Sequence, residues 1–503
     1  MYLILLSILA PILIGIYLLV RKEHSNRKYL LATAGIAFVL TDALVVAALA
    51  TAYGTSFTLF PLTETLSIVF AIDEMSILFS SVTIIVFLCA GFFSFEYMNP
   101  DTKEQRYNRI YLNQETKEKR YYGFYLIVFG VLNALCFAGN LITFYLFFEI
   151  LTLSSMPLVL HNGSHEAIMA ALKYLFYSLC GAYMALFGIY FICQNSTTIS
   201  FTAGGVLSGV AGSNTGLLLI VALVMILGFG VKAGMFPMHA WLPAAHPVAP
   251  APASAVLSAV IVKAGVLAMI RVVYYIFGSA FLQGTWVQTA WLVLTLITVF
   301  MGSLLAYREP VLKKRLAYST VSQLSYILFG LAAMSTETVT GSLLHVLAHG
   351  LIKATLFLCA GAIIYITGKT RVDELRGIGK EMPLTMWCYT IVSLGLIGIP
   401  PTGGFISKWY LAIGSLATDI PVFRWLGPVI LLVSALLTAG YLLPLTILGF
   451  LPGADYDYEH LTKREPSLFM TIPILIMTVV SVLIGLFPTQ LVDWIMNFVI
   501  RII

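Results

Sequence analysis

The most informative stretch of the chain is ILGFGVKAGMFPMHAWLP, residues 226–243. Its apolar residues predict a helix at membrane depth, yet it carries Lys232 and, further on, Pro237. Proline has no amide proton, so we expect Pro237 to free the carbonyl of Ala233 and, helped by Gly234, to break the helix beside the lysine. Broken backbone is tolerated at this depth only inside protein or along a watery cavity. The stretch therefore predicts a charged, hydrated interior.

The whole chain has the composition of an integral membrane protein. Of its 503 residues, 60% are hydrophobic and 10% are charged, against about 45–50% and about 25% in soluble domains. Apolar runs long enough to span a bilayer recur along it. The first run lacks a basic leading region and a cleavage site, so we expect it to be retained as a span. About fourteen spans are predicted, near residues 2–20, 29–54, 74–97, 121–138, 140–160, 167–193, 215–239, 252–279, 287–306, 316–334, 340–367, 384–413, 427–450 and 468–488.

Lysine and arginine are distributed among the loops in a way that fits this number of spans. Basic clusters follow spans 1, 3, 9, 11 and 13, whereas the loops after even-numbered spans carry almost none apart from Arg424. The positive-inside rule then predicts a cell-membrane protein with both termini outside. The net charge of +5 arises in these loops and does not predict nucleic-acid binding. The charge-rich segment 98–120 is interpreted as a solvated loop, with docking of a partner as the alternative.

Neither the cysteines nor any nucleotide-binding motif indicates a cofactor in this chain. The six cysteines are scattered singly, with no CxxC pair, which disfavours iron–sulfur, zinc or disulfide chemistry. The sequence contains no GxGxxG motif and no P-loop. We therefore predict no cofactor, no metal and no redox chemistry within this chain.

Charged side chains inside spans are costly and are candidates for function. The lysines among them are best explained by a hydrated interior or by carboxylate partners. Arg271 lies near the outer end of its span, where it is expected to snorkel to the interface. Asp42 either bonds a neighbouring helix or is functional. The pair Asp73–Glu74 lies nearer the end of a span, and the charged residues deeper within spans are Lys173, Lys232, Lys263, Lys353, Lys408 and Glu149.

Histidines extend this set of lysines. In HVLAHGLIKATLF, His345, His349 and Lys353 recur every four residues and share a helical face. His239 follows Lys232 by seven residues, again on one face. No cysteine or carboxylate stands at ligand spacing, which disfavours zinc. Groups that titrate between physiological and alkaline pH favour a proton relay.

A second interruption matches the first. In GLIGIPPTGGFISKWYL, Pro400 and Pro401 stand shortly before Lys408. Two interrupted spans, each with a lysine, are typical of an inverted-repeat transporter. Spans 4–8 and 9–13 are therefore predicted to form two five-helix repeats of opposite orientation. The predicted units are residues 1–120, an N-terminal three-helix segment with its loop; 121–280 and 287–450, the two repeats; and 451–503, a C-terminal helix and tail.

Five motifs, in order, resemble those of the antiporter-like membrane subunits. They are YLFFEILTLSSMPLVLH, VKAGMFPMHAWLPAAHPVAPAPASAVLSAVIVKAG, KKRLAYSTVSQLSYILFGL, HVLAHGLIKATLFLCAGAI and GIPPTGGFISKW. This superfamily comprises the proton-pumping subunits of respiratory complex I, Mrp-type sodium/proton antiporter subunits and the membrane arms of energy-converting hydrogenases. The resemblance covers about residues 70–450. It implies an all-α integral membrane fold of about fourteen transmembrane helices, with two inverted five-helix repeats and broken helices 7 and 12.

The resemblance also implies roles for the matching residues. Glu149 would pair with Lys232 at the first break. Lys263 would be the hub between two half-channels, and Lys408 would lead to the exit side. The remaining matching residues are His345, His349 and Lys353, which would link the hub to the second break, His239 and His246 near the turn between spans 7 and 8, and Lys173 in span 6.

We therefore predict a proton-translocating subunit that works with other membrane subunits in the bilayer, with Na+/H+ exchange left open. The short region after span 13 and the lysine at position 408 favour the D-type Mrp subunit or its hydrogenase counterpart. A shorter complex I subunit and an energising subunit of a bicarbonate-uptake system are alternatives. An enzyme subunit that binds quinone or carries electrons is disfavoured, because the chain lacks cofactor ligands.

Overall fold

In the computed structural model, the chain forms a bundle of helices with a small antiparallel sheet. The structure describes residues 1–21, 27–63, 66–99, 114–207, 214–418, 420–454, 456–457 and 462–503. Most of the predicted loop 98–120 lies outside the described residues. The predicted all-α membrane fold is confirmed.

The helices follow the predicted spans closely. Among the described residues, twelve helices are long and apolar enough to cross a membrane. The other two predicted spans correspond to α4 and to the two halves of α12. In the first half the helices are α1 Tyr2–Val20, α2 Arg27–Thr51, α3 Glu74–Tyr97, α4 Gln114–Cys136, α5 Leu141–Val159, α6 His165–Asn195, α7a Thr215–Lys232, α7b Leu242–Val248 and α8 Ala251–Phe277. In the second half they are α9 Trp286–Arg308, α10 Leu312–Ala333, α11 Thr336–Thr367, α12a Pro383–Ile397, α12b Gly403–Leu416, α13 Pro421–Phe450, α14 Leu468–Leu486 and α15 Thr489–Ile502.

Short elements fill the connections. Strands β1 Ser56–Pro61 and β2 Ser67–Ala71 pair antiparallel between α2 and α3. The single-turn helices are Leu160–Asn162, Ser279–Leu282, Val372–Glu374 and Ile378–Glu381.

The first break is present, but a glycine ends the helix before the proline is reached. Gly234 has φ +71°, and the N–H of Met235 bonds the carbonyl of Gly230 at 2.9 Å. This is the Schellman arrangement that ends many helices. The expectation that Pro237 interrupts a continuing helix at Ala233 is therefore wrong, because the helix has already ended one residue earlier.

The second break repeats this geometry. Gly398 has φ +97°, and the N–H of Ile399 bonds the carbonyl of Leu394 at 3.0 Å. In each break a proline follows three residues after the glycine, with cis bonds at Phe236–Pro237 and Pro400–Pro401. The two breaks thus share a Gly-x-x-Pro spacing. The division of the chain into repeats stays a prediction.

Helix α8 lies at the centre of the molecule. Every residue from Ala251 to Phe277 is buried. A Cβ atom on Gly265 would lie 2.7 Å from the nitrogen of Ala233 and 3.0 Å from Cβ of Lys232. Only glycine permits so close an approach, and it places α8 directly against the first break.

Candidate functional site

Lys232 ends α7a and is 1% exposed. Its ammonium donates to the hydroxyl of Thr152 on α5 and to the hydroxyl of Tyr174 on α6, both at 2.7 Å. It also lies 4.8 Å from the centre of the Tyr174 ring. The negative end of the helix dipole favours a cation at this position. Neither hydroxyl ligand was predicted from the sequence.

The ion pair between Glu149 and Lys232, which the family resemblance implies, is not formed in this structure. Glu149 and Lys232, both of which the structure describes, make no contact within the 4.0 Å that defines an ion pair. Oε1 of Glu149 is buried and has no hydrogen-bond partner among the described residues. Glu149 precedes Thr152 by one helical turn on α5, so the carboxyl group and the ligand of Lys232 share a helix face.

Lys263 on α8 is 1% exposed and is held without a carboxylate. Its Nζ lies 2.9 Å from Nδ1 of His349 and donates to the carbonyl of Ser258 at 3.1 Å. In the described part of the chain it makes no ion pair. An ammonium group can only donate, so Nδ1 of His349 accepts and the ring proton is assigned to Nε2. A proton acceptor thus faces the buried lysine directly.

The two histidines of α11 lead from Lys263 towards the second break. The rings of His349 and His345 stack with their centres 5.7 Å apart. His345 contacts the hydroxyl of Ser407 on α12b at 2.8 Å and the amide oxygen of Gln323 on α10 at 3.2 Å. Ser407 is next to Lys408 in the chain, so the row of polar groups extends from α8 across α11 to α12b.

Lys353 lies two turns after His345 on α11 and is fully buried. Its Nζ donates to the hydroxyl of Ser319 at 2.6 Å and to the carbonyl of Leu316 at 3.1 Å, both on α10. The Ser319 hydroxyl in turn lies 2.6 Å from that of Tyr441 on α13. This lysine therefore connects the row to α10 and α13.

Lys408 on α12b is half-buried at the second break. Its Nζ donates to the carbonyl oxygens of Leu396 at 2.6 Å and Ile397 at 3.1 Å. Both carbonyls belong to the last turn of α12a, where unpaired carbonyl oxygens attract cations. The ring centre of Tyr326 lies 4.8 Å from Nζ.

The structure does not bring Lys173 into this row. Its side chain is exposed on α6, whereas its neighbour Tyr174 is buried and bonds Lys232. The sequence contains a signal that distinguishes the two faces. Tyr174 shares its face with small residues, which mark helix–helix contacts in membranes, while Lys173 lies beside large exposed apolar residues. The small residues on the buried face are Ala167, Ala170, Ala171, Ser178, Gly181 and Ala182.

His239 precedes α7b and His246 lies in its last turn, and neither is hydrogen-bonded to a lysine. His239 is half-buried, and its ring stacks on Phe236 with centres 6.2 Å apart. His246 is buried against the ring of Phe357, 4.6 Å away, and neither of its nitrogens has a hydrogen-bond partner within the described ranges. Across those ranges, no three His, Cys, Asp or Glu side chains converge as a metal site would require.

The expectation that Arg271, the second cation of α8, snorkels to the interface is wrong. Arg271 is 1% exposed and forms two hydrogen bonds with Asp73, at 2.5 and 2.9 Å. Although burial raises the pKa of Asp73, the attraction and hydrogen bonds of Arg271 outweigh it and hold that pKa below the ordinary value. A counterion at the end of α3 thus makes snorkelling unnecessary.

Asp42 on α2 makes no bond to a neighbouring helix through its Oδ2 atom, which has no partner in the part of the chain that the structure describes. It is 7% exposed and faces the rings of Phe38, Phe87 and Tyr125. It lies apart from the row of lysines and histidines.

A broken helix packed against α8, and a buried row of lysines and histidines that leads from α8 to a second broken helix, are typical of ion-translocating membrane subunits. The family described as NADH:quinone oxidoreductase/Mrp antiporter, TM, matches residues 138–438, and the chain belongs to this family. It is 33% identical over 379 residues to NADH-quinone oxidoreductase subunit N of Desulforudis audaxviator (strain MP104C), an alignment that covers 73% of this chain and 74% of that protein. It is 30% identical over 352 residues to the D-type Na(+)/H(+) antiporter subunit of Bacillus subtilis (strain 168), covering 70% and 67%.

The fold also matches that of one chain in a solved membrane complex. A chain of the Mrp complex from Dietzia sp. DQ12-45-1b matches with a TM-score of 0.84 at 21% identity, covering 99% of this chain and 97% of that chain. At this identity the likeness concerns the fold.

Proposed function

We propose that this chain is the proton-translocating subunit of a multisubunit complex in the cell membrane, with both termini outside. One observation carries the proposal: the buried ammonium of Lys263 faces Nδ1 of His349 at 2.9 Å, with no carboxylate paired to it among the described residues. An ammonium group bound by neutral groups gives up its proton more readily than one in an ion pair. The relatives named as an antiporter subunit and a quinone oxidoreductase subunit support an assembly with other membrane subunits.

The geometry supports a sequence of proton transfers along the row. Lys263 gives a proton to Nδ1 of His349. Nε2 of His349 has no hydrogen-bond partner in the described part of the chain, and both nitrogens of His345 are bonded to other residues. Transfer to His345 therefore requires a bridging water or a turn of the ring. Ser407 and Lys408 continue the path at the second break. At the first break, closure of the open Glu149 pair would draw Lys232 away from its hydroxyl ligands and hold its proton, and reopening of the pair would make that proton easier to release. Transport then needs only a change of partners, with no covalent step.

Proton flux into vesicles that contain the assembled complex tests this function. Lys263→Met should lower flux by more than about tenfold, because it removes the ionisable group of α8 that contacts His349. Lys232→Ala and Glu149→Ala should have a similar effect. Lys369→Ala, which changes an exposed lysine between α11 and α12a, should leave flux unchanged. Normal flux from an assembled Lys263→Met complex would contradict the proposal.

The Na(+)/H(+) antiporter relative favours sodium exchange as a second candidate function. The same vesicles distinguish the two. Proton flux driven by an imposed sodium gradient, and lost in Lys263→Met, would establish exchange. Flux that is indifferent to sodium would establish proton translocation alone.

A further inference from the structure

A local irregularity in α8 lies immediately before Lys263. Residues Leu257–Ile261 form a π turn, in which the N–H of Val262 bonds the carbonyl of Leu257 at 3.2 Å. In an uninterrupted α-helix this N–H would bond the carbonyl of Ser258, four residues back. The π turn therefore takes from Ser258 its usual backbone donor.

The carbonyl freed in this way accepts the Lys263 ammonium at 3.1 Å. The ammonium is buried, and in the described part of the chain its other close partner is the neutral Nδ1 of His349. A buried charge without a counterion depends on oriented dipoles to remain charged. The Ser258 carbonyl stabilises the buried charge of Lys263, as the Asp73 carboxylate stabilises that of Arg271 at the other end of α8.

Ser258 is itself fixed from a second side. Its hydroxyl lies 2.7 Å from that of Thr320 on α10, and Thr320 donates to the carbonyl of Leu316 at 3.0 Å. The same carbonyl accepts the Lys353 ammonium at 3.1 Å. The residue that holds Lys263 is thus anchored to the part of α10 that holds Lys353.

We propose that this π turn is a functional element and that Ser258 is a positioning residue, whose backbone carbonyl keeps Lys263 protonated and directed at His349. The proposal rests on the proposed function, in which Lys263 passes its proton to that histidine. The titratable groups that interact with Lys263 are His349, His345 and Lys353, all on α11. The neutral Thr320 of α10 lies behind Ser258, and Lys232 of α7a places only its Cβ beside Gly265, since its ammonium is bound to α5 and α6. Lys353 opposes the charge of Lys263, and the Ser258 carbonyl counteracts it.

The test introduces a competitor for the Ser258 carbonyl without changing the shape of the core. In Val262→Thr, the threonine hydroxyl bonds back to the carbonyl four residues earlier, which is that of Ser258. Val266→Thr is the matched control, since Val266 is equally buried and its hydroxyl would reach the carbonyl of Val262. We measure proton flux as a function of pH in vesicles that contain the assembled complex.

Val262→Thr should lower flux roughly tenfold, the size expected for one hydrogen bond to a charged group. It should also move the alkaline limb of the pH–flux curve to lower pH, because Lys263 loses its proton more easily. Val266→Thr should leave the curve in place. Deletion of Ala259 removes the extra residue of the π turn while both flanks keep their register, and should cause a larger shift in the same direction.

An assembled Val262→Thr complex with normal flux and an unshifted curve would overturn the role of the π turn. Lys263→Met separates this failure from failure of the proposed function. Flux lost in Lys263→Met but kept in Val262→Thr refutes only the positioning role. Flux kept in both refutes the function itself.

Discussion

The two broken helices carry their lysines on opposite sides of the break, yet both ammonium groups lie at the same end of a half-helix. Lys232 stands two residues before Gly234, whereas Lys408 follows Gly398 by ten residues. The Lys408 ammonium nevertheless bonds the carbonyl of Leu396, which stands two residues before its glycine as Lys232 does. Both charges therefore lie at the C-terminal end of the first half-helix, where the helix dipole favours them.

The difference between the breaks lies in what holds each lysine. Lys232 is bound by side-chain hydroxyls from two other helices and is almost completely buried. Lys408 is bound by backbone carbonyls of its own broken helix and is partly exposed. Side-chain substitutions can therefore change the ligands of the first lysine but not those of the second. The first break is therefore where a nearby carboxyl group such as Glu149 can alter the charge.

The largest expected effect comes from removing a hydroxyl ligand. Tyr174→Phe keeps the ring next to Lys232 but removes one of its two hydrogen bonds, and should lower proton flux about tenfold. Tyr326→Phe is the matched control at the second break, because its hydroxyl bonds the carbonyl of Leu431 and not Lys408. Vesicle flux measures both. Equal losses in the two variants would show that hydroxyl ligation does not distinguish the breaks.

A smaller effect is expected from the glycines that end the half-helices. Alanine at either position must adopt a left-handed conformation, which costs about 1–2 kcal/mol, so both variants should unfold at lower temperature. In Gly398→Ala the new methyl group would lie 3.0 Å from Cδ of Lys408, whereas in Gly234→Ala it would lie 2.6 Å from Cδ1 of Leu242.

Gly398→Ala should therefore also lower flux severalfold, and Gly234→Ala should lower it less at a similar loss of thermal stability. Thermal unfolding and vesicle flux on the same preparations decide this. A larger loss of flux in Gly234→Ala than in Gly398→Ala would contradict this prediction. It would show that alanine disturbs transport at the first break more than its contact with Lys408 does at the second.

The smallest effect on transport is expected where a buried cation has a carboxylate partner. Asp73→Asn leaves Arg271 buried without a counterion and should cost about 3–5 kcal/mol of stability, while flux per assembled complex stays within about twofold because Arg271 does not release its proton. A loss of flux as large as that of Tyr174→Phe would place this pair in the path.

The pH dependence of stability checks the same variant. The pKa of Asp73 is held below its ordinary value of 3.8. The stabilisation is therefore complete at neutral pH and is lost only as the pH falls below that value. The difference in unfolding temperature between wild type and Asp73→Asn should narrow in acid and be constant near neutrality. A constant difference throughout would show that the ion pair is not its source.

Features encoded locally were predictable from the sequence. Apolar runs and loop charges predicted the spans, and glycine and proline beside a lysine predicted both breaks. The confirmed family assignment rests on motifs of the same local kind. The end of α7a was wrongly attributed to Pro237, because a glycine two residues after Lys232 had already stopped the helix.

Partners from distant parts of the chain were not predictable. Arg271 meets Asp73 across 198 residues, and Lys232 meets Tyr174 across 58. Lys173 and its neighbour Tyr174 differ by one helical position, which turns a side chain by about 100° to another face. The roles of the ten candidate residues and the boundaries of the repeats stay predictions.

The complete burial of α8 limits how this helix can move. A rod packed on every side can neither tilt nor slide without displacing its neighbours, because protein interiors are close-packed. The remaining freedom is internal: if a π turn shifts along a helix by one position, the residue it passes rotates by about 100° while both ends stay fixed. Such a local rotation within a helix whose ends stay fixed would turn a lysine side chain from one neighbouring helix to another. Two states that differ in this way would superpose almost perfectly on the Cα atoms of every other helix.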